Sequence, residues 1–182
     1  MRAYETLRQS FKPTKIKVLL IAESPPPSAE IGGSRHFYRS DIIRRGDRLF
    51  VNTVKAIYPE AAVLSEQQIE SQKVEWLHRL QTDGFYMIEA LEVSQHHEVT
   101  KGERQEKIKK ALPRLIERVA ELATVDTKII LIKSNVFEVA AVPLKAAGFT
   151  VLNQGLVDYP GQYNQRAYQQ KLTALLKESD VI

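Results

Sequence analysis

Four short apolar runs constrain this chain more than any other feature. They lie at 16–22 (IKVLLIA), 85–90 (FYMIEA), 128–133 (KIILIK) and 149–152. Each is continuously apolar rather than alternating, which suits strands covered on both faces, as in a parallel sheet. Pro13 precedes the first run, Asp83-Gly84 the second and Gly148 the fourth, as turn residues should. Between them the apolar spacing changes to that of helices. Residues 46–58 carry a stripe through Leu49, Phe50, Val54 and Ile57. Ser65 with Gln68 forms a capping box, followed by Ile69, Trp76, Leu77 and Leu80 as core contacts. Residues 102–123 repeat Ile108, Leu112, Leu115, Ile116, Val119 and Leu122 at helical intervals. Asn135 with Glu138 predicts another capping box, Pro143 a kink or break, and Gly148 the helix end. A last helix, 165–177, carries Leu172, Leu175 and Leu176. Strands alternating with helices predict an α/β fold with a mainly parallel sheet and helices on both faces.

The 182 residues fit one domain, 1–182, large enough to bury a substantial core. A hydrophobic share of 43% with 26% charged residues excludes gross disorder. The absence of cysteine excludes disulfides, a thiol nucleophile, cysteine-ligated zinc and an iron–sulfur cluster. Residues 1–17 have no apolar signal-peptide core, and the apolar stretch 18–22 is far short of a membrane span. A cytoplasmic protein without a membrane partner is the expectation.

Charge is segregated along the chain. Residues 1–17 hold five bases against one acid, 35–48 five against two, and 100–118 seven against three. Residues 59–98 hold eight acids against two bases. Such runs are solvated helix faces or, where basic, contacts for a polyanion.

Parallel sheets bind ligands beyond the carboxyl ends of their strands, so the residues after each run are where chemistry is expected. The first run ends in Ala22-Glu23-Ser24-Pro25-Pro26-Pro27-Ser28. A carboxylate followed by three prolines makes a stiff loop with few backbone donors, unlike a glycine-rich phosphate cradle. The chain continues through Gly32-Gly33 to Arg35-His36-Phe37-Tyr38-Arg39, where aromatics framed by arginines read either as a stacking face with phosphate contacts or as core.

The segment VLLIAESPPPS followed by RHFY resembles the first motif of the uracil-DNA glycosylase superfamily. It is most similar to a less characterised branch with a Gly-Glu-Ser-Pro-Pro pattern, with Ala22 in place of the glycine. The segment LNQGLVDYPGQYNQRAYQQKL resembles that branch's last motif, a strand, an aromatic-Pro-Gly turn and a helix. The resemblance covers most of the chain and implies a three-layer αβα sandwich with a four-stranded parallel sheet ordered 2-1-3-4.

That resemblance also implies a chemistry. Such enzymes flip a nucleotide into a pocket and cleave the bond between base and deoxyribose. Glu23 stands at the position of the acidic residue that orients water or stabilises the sugar cation. Ala22, Ser24 and Pro25 would line the substrate pocket, with Phe37 or Tyr38 stacking on the flipped base. Glu89 would contact the base from the second strand. Many members carry His-Pro-Ser in the last motif. Here Tyr159-Pro160-Gly161 stands there, and tyrosine donates one hydrogen bond but carries no positive charge. Ser28, Arg35, Arg39, Pro160, Gly161, Gln162, Asn164 and Arg166 would face DNA. A monomer without cofactor is implied. His96-His97-Glu98 invites a metal reading, but no partner cluster accompanies it. Three readings stay open from sequence: a glycosylase-like enzyme, a nucleotide- or nucleic-acid-binding module of the same fold, and an unrelated α/β protein. A pocket uniting Glu23, Phe37 or Tyr38, Glu89 and Tyr159 would argue against the last.

Overall fold

The computed structural model describes residues 3–26, 36–40, 46–95 and 99–182. Four parallel strands, β1 (Val18–Ala22), β2 (Phe85–Glu89), β3 (Lys128–Leu131) and β4 (Thr150–Val151), form one sheet in the order 2-1-3-4. All residues of β1 and β2 are buried, including Glu89 at the end of β2.

Seven α-helices are described: α1 (Ala3–Ser10), α2 (Arg48–Ile57), α3 (Glu66–Ser71), α4 (Lys73–Asp83), α5 (Lys101–Leu122), α6 (Ser134–Ala146) and α7 (Gln165–Glu178). A 3-10 turn spans Pro59–Val63. Helix α2 packs against α7, and α5 against α6. Successive side chains of a strand point to opposite faces. Met87 and Glu89 share a cleft with Asp47 and Leu49 at the start of α2, whereas Tyr86 and Ile88 share one with Arg114 and Arg118 of α5. Helices therefore cover both faces.

Several elements depart from the sequence-based expectations, each for a visible reason. The last strand is two residues rather than four. Its continuation is replaced by a side chain: Asn153, fully buried, accepts from the Leu131 amide at 2.7 Å and donates to the Leu131 carbonyl at 2.9 Å. The expected capping box of Asn135 and Glu138 does not form. Asn135 lies inside α6 and bonds Glu23, and Glu138 bonds Lys101 at 2.9 Å. Helix α6 also runs past Pro143 without the expected break, giving up the one bond its missing N–H would have made to the preceding turn, and ends three residues later. The capping box of Ser65 and Gln68 is present, and Thr100 with Glu103 forms one at the start of α5 that the sequence reading did not foresee.

Helix α1 was not foreseen either. Tyr4 and Phe11 are buried and Leu7 packs on the core, an apolar stripe at helical spacing within a segment that reads as a basic arm. Gly84 ends α4 at φ +88, and its carbonyl accepts from Lys17 and Val18, joining the starts of β1 and β2. A Cβ there would lie 2.8 Å from the Lys17 side chain, so glycine is required on both counts. On the outer edge of β2, the Tyr38 hydroxyl accepts from the Met87 amide at 2.6 Å and faces the Met87 carbonyl at 3.1 Å.

Candidate functional site

A cleft of about 290 Å³ opens at the carboxyl ends of β1, β2 and β3. Ala22, Glu23, Ser24, Pro25 and Pro26 enter it from the end of β1, and Met87 and Glu89 from β2. His36 and Phe37 come from the segment before α2, Asp47 and Leu49 from the start of α2, Arg104 from α5, Ile132 and Lys133 from beyond β3, and Tyr159 from the turn before α7.

The parallel register explains the central pair. Ala22 stands opposite Glu89, so Glu23 follows one position beyond it and both carboxylates sit where the strands end. The pairing continues one step further, with the Leu91 amide donating to the Glu23 carbonyl at 2.9 Å. Both carboxylates are buried, at 5% exposure each.

Glu23 is held by three side chains. Arg104 Nη1 reaches Oε1 at 2.7 Å, and Lys133 Nζ and Asn135 Nδ2 reach Oε2 at 2.7 and 2.8 Å. Burial alone would raise its pKa. The hydrogen bond and charge of Lys133, with bonds from Arg104 and Asn135, outweigh burial and hold it below the usual carboxylate value. Lys133 adopts φ 82 and ψ 140, a region nearly confined to glycine, where another residue carries strain of about 1–3 kcal/mol. Its amide donates to the Val157 carbonyl at 2.7 Å, and its carbonyl accepts from Val136 and Phe137 at the start of α6. Those bonds on both sides fix the conformation and carry the ammonium to Glu23.

Glu89 is held differently. Arg8 Nη1 of α1 reaches Oε2 at 2.9 Å, and His36 Nε2 lies 3.5 Å from Oε1. Here too burial raises the pKa and is outweighed, first by His36 and then by the charges of Arg8 and Arg118, so the carboxyl is held low. Asp47, the N-cap of α2, pairs with Lys73 at 2.6 Å, and Lys73 also donates to the His36 carbonyl at 3.0 Å. The cleft thus presents three carboxylates, each already matched to a cation.

Phe37 is 7% exposed and lies edge-on to Phe50, with ring centroids 5.3 Å apart. Tyr38 stands outside the cleft lining, in the apolar cluster with Phe11 and Tyr86. Tyr159, 44% exposed, is on the cleft wall. After it Pro160 is buried, and the Gly161 amide donates to the Tyr159 carbonyl at 2.7 Å, making a tight turn. Gln162, Asn164 and Arg166 are exposed where α7 begins. Arg39 is half-buried beside His36, whose carbonyl its amide meets at 2.9 Å. Ser28, Arg35 and the His96-His97-Glu98 segment lie outside the described residues.

The structure therefore brings Ala22, Glu23, Ser24, Pro25, Phe37, Glu89 and Tyr159 around one cleft. Sequence reasoning missed the cations that hold the carboxylates. Arg104 was hidden in a strongly basic helix, Lys133 in the last position of an apolar run, Arg8 in a polar N-terminal segment, and Asn135 behind an apparent cap. Among the described residues no cluster of three or more histidine or acidic side chains could hold a metal ion, and no helix is long and apolar enough to cross a membrane. No protein-family model, curated protein or solved structure matches this chain.

Proposed function

We propose that this chain binds DNA and hydrolyses the N-glycosidic bond of a flipped base, in the manner of the uracil-DNA glycosylases its motifs resemble. The observation that carries the reading is the meeting of Glu23, Phe37, Glu89 and Tyr159 in one cleft at the strand ends. Any parallel sheet gathers its strand-end residues at this edge, so what supports the reading is their kind: a carboxylate from each of two strands beside an aromatic ring and a tyrosine. The cleft volume, about 290 Å³, lies at the small end of ligand sites and suits one base rather than a dinucleotide.

In this reading Phe37 offers a ring to the base and Glu89 accepts from a base N–H. Water adds to the anomeric carbon as the C–N bond breaks, and the base leaves with the electron pair and takes up a proton. Glu23 orients that water and stabilises the cationic sugar, and Tyr159 donates to the departing oxygen. The Pro160-Gly161 turn with Gln162, Asn164 and Arg166 meets the DNA backbone. The protein acts as a cytoplasmic monomer.

A second reading has its own support. Lys133 and Arg104 already neutralise Glu23, which weakens its field at a sugar cation and favours a binding module of the same fold. Single-turnover assays for abasic sites separate the two. The substrates are single- and double-stranded oligonucleotides carrying uracil, hypoxanthine, xanthine or an oxidised pyrimidine. Strand scission after alkali with any of them supports hydrolysis. Salt-sensitive binding without scission supports the module, and no binding at low salt removes both.

A further inference from the structure

A second cleft, of about 180 Å³, lies on the other face of the sheet among α1, β2 and α5. Its walls carry Arg8, Tyr86, Arg114 and Arg118, with Glu5, Glu92 and Glu121 among them. Arg118 is 6% exposed, Arg8 7% and Tyr86 2%. Yet Arg118 Nη1 and Nη2, Arg8 Nε and the Tyr86 hydroxyl have no hydrogen-bond partner. All four are donors, and buried donors are rarely left unmet.

The carboxylates nearby do not meet them. Glu5 lies 3.8 Å from Arg8 Nη2, Glu92 3.9 Å from Arg118 Nε, and Glu121 3.6 Å from Arg114. None of these contacts engages the two terminal nitrogens of Arg118. Arg8 has Glu89 at 2.9 Å, and its pKa is held above the ordinary arginine value despite burial. Arg118 is pulled below that value, chiefly by burial, which outweighs the charges of Glu92 and Glu89. Burial and the charge of Glu89 push the Tyr86 hydroxyl up to about 12, against the charge and close approach of Arg8 and the charge of Arg118, so its O–H remains a donor at neutral pH.

We propose that this cleft binds a small tetrahedral oxyanion of the phosphate type, taken by the fork of Arg118 together with Tyr86 and Arg8. The planar guanidinium presents two free ends to paired oxygens, a geometry that a single water cannot match in charge. The anion is either free inorganic phosphate or a phosphate of a nucleic-acid backbone. The site does not depend on glycosidic chemistry, because Arg118, Tyr86 and Arg8 are absent from the lining of the strand-end cleft, which Arg8 meets only through Glu89.

The test is a titration of the whole chain with inorganic phosphate at constant ionic strength, chloride replacing it in the control. The readouts are the Nε–H resonance of Arg118 and the melting temperature. Saturable shifts and a phosphate-specific rise in Tm are expected. Arg118→Met should weaken binding by roughly tenfold or more, since a charge-assisted contact is lost. Tyr86→Phe, which keeps the ring, should weaken it about fivefold, as for one neutral hydrogen bond. A lesion-free DNA duplex that moves the Arg118 resonance at phosphate concentrations too low for the free ion assigns the site to backbone phosphate. A response to the free ion alone assigns it to inorganic phosphate. No saturable response to either probe overturns the proposal, as does unchanged affinity in Tyr86→Phe together with any folded Arg118→Met protein.

Discussion

Glu23 and Glu89 are neighbours on adjacent strands, equally buried and both held ionised, yet their partners differ in kind. Glu89 is locked to the interior: the side chain of Arg8 is 8% exposed and that of His36 2%. Glu23 faces Lys133, whose side chain is 36% exposed, and Arg104 at 15%. The first set has nowhere else to go, whereas a ligand or water can draw the second away. Glu89 is therefore a fixture of the fold that also borders the cleft, and Glu23 is the carboxylate whose surroundings can change when something binds.

The largest expected effect breaks the fixed side. Glu89→Ala leaves Arg8 charged in the interior and should cost about 3–5 kcal/mol, read from urea unfolding. Glu23→Ala should cost clearly less, because Lys133 can turn to water. Equal losses would erase the distinction.

The exchangeable side should show itself in function. Under the hydrolytic reading, Glu23→Gln should lower single-turnover excision on the order of 10²-fold with little change in DNA affinity. Tyr159→Phe should lower it by about tenfold or less, as for one neutral donor. A fully active Glu23→Gln protein would remove this carboxylate from the chemistry.

A smaller effect isolates the backbone at Lys133. Both Lys133→Ala and Lys133→Gly lose the ammonium, but only glycine accepts φ 82 without strain. Lys133→Gly should be the more stable of the two by about 1 kcal/mol or more in thermal or urea unfolding. If alanine proves as stable as glycine, the strand end has relaxed and the strain is not there.

The gentlest probe is pH. Both glutamates have native pKa values below those of the unfolded chain, so their stabilisation is complete above about pH 5, where the unfolded glutamates are ionised. It is lost as pH falls below about 4 toward the depressed native values. Glu23→Gln and Glu89→Gln should each flatten the acid limb of the stability curve, and an unaltered limb in either would contradict its depressed pKa.

The strands β1, β2 and β3 were legible because burial on both faces leaves an apolar run, and amphipathic spacing marks most helices, whereas β4, with Thr150 exposed, is shorter than its run suggests. The carboxylates were legible because strand ends are where a parallel sheet exposes chemistry. Their partners were not. Arg8 and Glu89 are 81 residues apart, as are Glu23 and Arg104. Such pairings arise from helix placement, which no local pattern encodes. Asn135 shows the same limit from the other side, since a good local cap signal yielded to a distant carboxylate.

The hydroxyl of Tyr38 has a consequence beyond the core it joins. β2 is the rim of the sheet, and its middle residue, Met87, would otherwise turn an amide and a carbonyl outward. An open rim of this sort is a template for a strand from another molecule. With one phenol meeting both groups, the rung at the centre is closed, and a second copy approaching edge to edge finds no partner for its own backbone there. The ring that a stacking role would have turned toward a ligand instead occupies the rung that an incoming strand would need.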